Sequence, residues 1–198
     1  AYIDWTTPSN SHLDGPFDLT VAPFTMLDWT SIPQKGVSQL LDTLGDRLMF
    51  MLQYRNYGDH EALFVNHTVA SGNSGGVRWY EVRDPGGTPF VYQQGTYQPD
   101  DHYRWMGSIA AVGEGNLALG YSVSSSTMFP TIRYTGQMQG ETLGMMTQGE
   151  VTLIAGTGSQ TGSNRWGDYS AMSVDPVDDC TFWYTQEYFA TTSGNWRT

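Results

Sequence analysis

The chain has 198 residues, enough for one domain with a sizeable core, and 39% hydrophobic against 15% charged residues sets it apart from a disordered tail. A formal net charge of −11 argues against nucleic acid and anionic membrane surfaces as partners, because holding phosphates requires a surplus of Lys and Arg. The one cysteine, Cys180, excludes an intrachain disulfide and a thiolate metal cluster.

In chain order, short runs of β-branched and aromatic residues alternate with Gly, Pro, Asn and Asp clusters, the pattern of an all-β chain. Strands are expected at 2–6 and 17–21. The stretch 37–44 (VSQLLDTL) is the only one suited to a helix. Four strands follow at 48–54, 62–69, 77–82 and 90–96, four at 108–112, 117–122, 131–135 and 151–155, and two at 169–174 and 181–186. Within LALGYSVS, Leu117, Leu119, Tyr121 and Val123 face one way and Ala118, Gly120, Ser122 and Ser124 the other. Apolar or small residues on both faces suit a sheet stacked between neighbours. The run Gly-Asn-Ser-Gly-Gly at 72–76 reads as a hairpin loop. The Gly-rich run at 156–162 precedes no helix, which a dinucleotide site would require.

The chain also repeats itself. Arg47, Arg104 and Arg165 each stand at the start of a strand, at spacings of 57 and 61 residues. A second Arg beside an aromatic residue follows each after 31, 29 and 32 residues, at Arg78, Arg133 and Arg197. Turns at 56–61, 112–116 and 175–180 separate the first and second strands. Each unit thus reads as four antiparallel strands in about 55–60 residues, the pattern of a β-propeller blade. The expected division is the end of one blade over 1–45, blades at 46–100 and 101–160, and an incomplete blade at 161–198, about three to three and a half in all. Part of a ring would leave sheet edges and apolar faces open, so completion by self-association or by the remainder of a larger propeller is expected.

The runs GDRLMFMLQYRNYGDHEALFVNHTV, GVRWYEVRDPGGTPFVYQQGTYQPD, YRWMGSIAAVGEGNLALGYSVSSS and GTGSQTGSNRWGDYSAMSVDPVDDCTFWYTQEY resemble the C-terminal part of secreted bacterial sialidase-like (neuraminidase-like) β-propeller proteins. The resemblance implies a propeller, a secreted location and a site for an acidic glycan. The chain lacks the Ser-x-Asp-x-Gly-x-Thr-Trp boxes that sialidases usually carry, and fold likeness alone does not transfer activity.

Three arginines at one mouth of such a ring, Arg47, Arg104 and Arg165, suit bidentate capture of a sugar carboxylate, as sialidases use an arginine triad. The competing reading pairs them with Asp46, Asp101 and Asp168 as ties between blades. Glycoside hydrolysis needs two flanking carboxyl groups. The mouth offers Asp46, Asp100, Asp101, Asp168 and Glu187, with Tyr169 or Tyr188 beside Glu187 as a Tyr–Glu couple. Trp105 and Trp166 offer faces for sugar stacking or for packing between blades, and His102 lies next to the middle arginine. Asp175, Asp178 and Asp179 share one turn that offers calcium oxygen ligands but lacks the Gly and distal Glu of a calcium loop, so an Asx turn is the alternative. No other cofactor is expected, and no histidine metal site. Three functions remain open: a hydrolase of acidic glycans, a propeller that binds a glycan or protein without catalysis, and a structural half-propeller.

Overall fold

The computed structural model describes residues 2–198 and is all-β, with antiparallel four-stranded sheets. Near the N-terminus, β1 (Thr30–Ile32) and β2 (Leu41–Asp42) form a small pair. Sheet one is a meander of β3 (Gln53–Asn56), β4 (Glu61–Ser71), β5 (Ser74–Arg83) and β6 (Phe90–Tyr97). Sheet two repeats that order with β7 (Tyr103–Ala111), β8 (Leu117–Ser125), β9 (Met128–Gln137) and β10 (Val151–Ile154). Two hairpins end the chain: β11 (Ala171–Val174) with β12 (Phe182–Thr185), and β13 (Tyr188–Phe189) with β14 (Trp196–Arg197). The described residues do not close into a ring or barrel.

The sheets stack face to face. Ala62 and Phe64 of β4 and Val77 and Trp79 of β5 pack with Ile109, Ala111, Leu117, Leu119, Tyr121 and Val123 of sheet two. The opposite face of sheet two meets the β11–β12 hairpin through Ala118 and Met172. This explains the two-sided pattern of LALGYSVS, buried along all of β8. The small side is required there: a Cβ on Gly120 would lie 2.5 Å from the Tyr184 ring. Ser122 accepts a hydrogen bond from the Trp166 indole at 3.0 Å, so the hydroxyl satisfies a buried donor.

The strands nearest one another across the stack are joined by side chains acting as backbone. The Gln53 amide donates to Ala111 O at 3.2 Å and accepts from Ala111 N at 2.6 Å. The Ser108 hydroxyl donates to Phe50 O at 3.0 Å and accepts from Met172 N at 2.9 Å, joining three units through one oxygen. Close approach demands Gly107, where a Cβ would fall 2.6 Å from Asn66 Oδ1. The register of β7 slips between Trp105 and Ser108, and Met106 takes φ 50°, so the strand bulges as it passes this crowded point.

At its other end β7 carries Arg104, whose side chain is fully buried. Its guanidinium forks onto Asp100 (2.7 and 3.1 Å) and onto Glu150 (2.7 and 3.0 Å), and also donates to His102 O at 3.0 Å. Glu150, just before β10, further accepts from Arg133 on β9 at 2.5 Å and from the Tyr121 hydroxyl on β8 at 2.9 Å. Three strands of sheet two therefore meet at one carboxylate, which stands at the entry to the fourth. Burial alone would lower the Arg104 pKa, but its hydrogen bonds to Asp100 and Glu150 raise it above its ordinary value. The Glu150 carboxyl is held below its usual range: burial would raise it, and Arg104 outweighs that.

Several expected elements are absent. The 37–44 stretch is no helix; only Leu41–Asp42 is regular, as a strand whose Leu41 packs with Met49 and Trp105. Tertiary packing overrides a weak helical preference there. The run 17–21 forms no strand, and the first segment keeps only the isolated Tyr2–His12 bridge. Residues 22–25 lie across the outer face of sheet one, where Arg78 donates to Pro23 O at 3.3 Å and Ala70 N donates to Thr25 O at 2.9 Å.

Removing Arg104 leaves Glu150 and Asp100 facing each other without their shared cation. Arg104→Met is expected to lower unfolding stability by about 3–5 kcal/mol at pH 7, read by urea titration. Acid acts on the same pin. The Arg104 hydrogen bond depresses Asp100 from 3.8 to about 2, so its contribution is complete above pH 3.8 and disappears as pH falls through about 2. A pH series of thermal melts is expected to show that loss, flattened in Asp100→Asn.

Candidate functional site

A recess of about 600 Å³ opens beside the terminal hairpins. Its lining comes from three places: Phe50 before β3, the 165–171 segment leading into β11, and the β12–β13 corner with Gln186 and Glu187; Trp196 and Thr198 close one side. The bulge in β7 builds part of it. With Met106 turned out of register, its carbonyl accepts from Ser170 Oγ at 2.8 Å and from Gln186 Nε2 at 3.2 Å. Gln186 then accepts from Glu187 N at 2.8 Å, which fixes the backbone that carries the carboxyl group.

Glu187 is half-buried, and its carboxyl lies over Gly167, 3.1 Å from where a Cβ would stand. Gly167 (φ 59°) and Asp168 (φ 62°) form a tight left-handed bend that brings the Asp168 carboxylate near. Burial, reinforced by that like charge, pushes Glu187 up from 4.5 to about 7. None of the described side chains donates a hydrogen bond to it. A carboxyl group that holds its proton near neutrality inside a recess has the property a general acid needs.

Two arginines stand near the Asp168–Tyr169 bend. Arg165 lines the recess, 69% exposed, and forks onto Asp168. Arg47 forks onto Asp46 at 2.9 and 3.0 Å and lies 5.8 Å over the Trp29 ring. Asp46 first, and the Tyr169 hydroxyl second, raise the Arg47 pKa above its ordinary value, which places Arg47 against a residue of the recess. Tyr169 is 44% exposed, and Trp196 presents an open indole at 62%.

Of the expected arginine trio only Arg165 lines the recess, and Arg47 borders a different cavity, on the outer face of sheet one. Arg104 has no donor left: all five of its N–H groups are engaged by Asp100, Glu150 and His102 O, and its partner is Asp100 rather than Asp101. Asp101 and His102 belong to the turn before β7 and do not line the recess. Trp105 and Trp166 are fully buried, their rings 5.9 Å apart in a core shared with Ile32, Leu41 and Phe189, so neither offers a face to a sugar. Arg165, Asp168, Tyr169 and Glu187 do come together.

The aspartate turn is closed on itself. Asp178 accepts from Cys180 N, Thr181 N and Thr181 Oγ1, Asp175 from Val177 N and the Trp183 indole, and Asp179 from Arg55 at 2.6 Å. Every carboxylate is committed to a different partner, so the turn is an Asx-type structure tied to sheet one. No group of three His, Cys, Asp or Glu side chains suited to a metal gathers among the described residues.

Sequence reasoning missed Glu150 and the recess residues Phe50, Ser170, Gln186 and Trp196. Glu150 lies 46 residues from Arg104 and 17 from Arg133, so no local spacing marked it. Ser170 and Gln186 are brought together by the Met106 carbonyl at the bulge. No protein-family model matches the chain, and neither does a curated protein or a solved structure.

The raised Glu187 pKa has a thermodynamic sign. The folded chain keeps a proton that the unfolded chain releases, so stability falls as pH rises from about 4.5 to about 7 and then levels. Glu187→Gln is expected to remove this slope in melting temperature and to be more stable than the parent at pH 8. Carboxyl carbon NMR of the parent is expected to show one glutamate titrating near 7.

Proposed function

We propose that the chain is part of a β-propeller whose recess binds an acidic sugar and hydrolyses its glycosidic bond. The observation that carries this reading is Glu187, holding a proton to about pH 7 beside the Asp168 carboxylate in a recess that Arg165 also lines. Arg165, with Arg47 next to Tyr169, supplies the cationic field for the sugar's carboxylate. Trp196 supplies an apolar face against the ring. Glu187 gives its proton to the departing glycosidic oxygen as the bond to the anomeric carbon breaks, then takes one from the incoming water. Tyr169 and Asp168 stand on the side where positive charge develops at that carbon. In this reading the stacked sheets are successive blades, and the protein works outside the cell on environmental glycans.

A second reading rests on a separate observation. Both arginines already fork onto carboxylates, Arg47 onto Asp46 and Arg165 onto Asp168. An incoming sugar acid must displace them, which favours a recess that binds without turnover.

Chromogenic glycosides of acidic sugars separate the two. Catalysis is expected to show a pH profile with a limb near 7, a kcat lowered about 10²–10⁴-fold by Glu187→Gln, and a KM raised by Arg165→Ala. Saturable glycan binding without product across the panel favours the second reading, and neither binding nor product rejects both.

A further inference from the structure

We propose that a second cavity, on the outer face of sheet one, is a binding site for a small apolar molecule carrying one hydrogen-bond acceptor, such as an ester or ketone. The cavity holds about 360 Å³, within the range of small-molecule sites. Its floor is the outer face of β4, β5 and β6, with Val65, Val82 and Val91. Its roof is the N-terminal segment, with Leu19, Val21 and Phe24.

That roof decides the size of the occupant. It is this chain's own segment, held by Ala22 N to Gln94 Oε1 at 2.9 Å, Arg78 to Pro23 O and Ala70 N to Thr25 O. A further sheet packs about 10 Å above its neighbour and would need the space the segment fills. What remains is a chamber for a molecule, not a face for a domain.

One polar feature looks into the chamber. His67 Nε2 and the Tyr80 hydroxyl are 2.9 Å apart, rings stacked 5.6 Å apart, with Phe24 edge-on to the imidazole at 4.6 Å. Burial, with the Arg78 charge adding to it, lowers His67 to about 4, so the imidazole is neutral at pH 7. The pair then owns two polar hydrogens, one N–H and one O–H, and its internal bond uses one. Whichever tautomer is present, one donor is left over. Arg47 and Asp46 stand at the rim already paired with each other. An apolar wall with one spare neutral donor selects a hydrocarbon body with a single acceptor, and disfavours ions.

The test is a fluorescence titration with N-phenyl-1-naphthylamine, competed by methyl octanoate and by nonane, with solution mass followed by sedimentation. Saturable binding of one probe per chain is expected. Val65→Trp, which fills the floor, and Met26→Trp, at the exposed mouth, should each weaken it by about tenfold or more. The double variant His67→Leu with Tyr80→Phe, which removes both polar hydrogens, should reduce the preference for the ester over the alkane about fivefold to tenfold while leaving the probe's own affinity unchanged. Glu187→Gln should bind the probe as the parent does, so failure of the glycan reading leaves this result untouched. The proposal is overturned by unsaturable binding, by probe binding indifferent to both tryptophan substitutions, or by an ester preference that survives the double variant. Loss of the probe in step with self-association also overturns it, since the cavity would then be an interface between copies.

Discussion

The guanidinium of Arg104 is the interaction on which the rest of sheet two depends. It is fully buried, yet each of its N–H groups ends on an oxygen, so the large cost of desolvating a cation is offset by five charge-assisted contacts. The carboxylate opposite it, Glu150, gathers Tyr121 and Arg133 from the two strands between. A meander is otherwise held only by ladders between neighbours; this cluster ties its first strand to the run just ahead of its last. Because β7 is also the strand packed between sheet one and the terminal hairpin, fixing its end fixes the level at which both neighbours dock.

The recess is a by-product of how β7 relieves crowding. Gly107 and Ser108 must pass close to Asn66, Phe50 and Met172, and the strand bulges at Met106 just before them. A bulge leaves a carbonyl without its ladder partner. Here that carbonyl holds Ser170 and Gln186, and through Gln186 it orients Glu187. The left-handed backbone at Gly167 and Asp168 then sets a second carboxylate near the first. The unusual proton affinity thus traces to ordinary packing several residues away, on a rigid strand rather than a free loop.

Much of this was readable from residue order, and the parts that were not have physical causes. Alternation in Leu117–Ser124 identified a strand covered on both faces, because a period of two with small residues on one side has few other uses. The Arg-Trp repeat located a strand start at 104, whereas Arg165 lies in irregular chain six residues before β11; nor did it tell what those arginines do: the same residue is sealed in one unit and open in the other. The difference lies in Glu150, 46 residues from Arg104, and long-range pairing leaves no local mark. Trp105 and Trp166 were equally ambiguous, since an indole serves a core and a sugar equally well. Val37–Leu44 misled because its apolar spacing suits a helix, while the core formed by Ile32, Trp105 and Phe189 demanded an extended Leu41.

The Ser108 hydroxyl is donor to one unit and acceptor from the next. A hydroxyl that gives its proton to Phe50 O becomes a better acceptor for Met172 N, so each bond polarises the other. Stacked repeats are ordinarily linked only to their neighbours, with free energies that add along the row. In this chain a single oxygen lets the first unit and the third sense one another, and the stack inherits a cooperativity that its contacts taken pair by pair would not reveal.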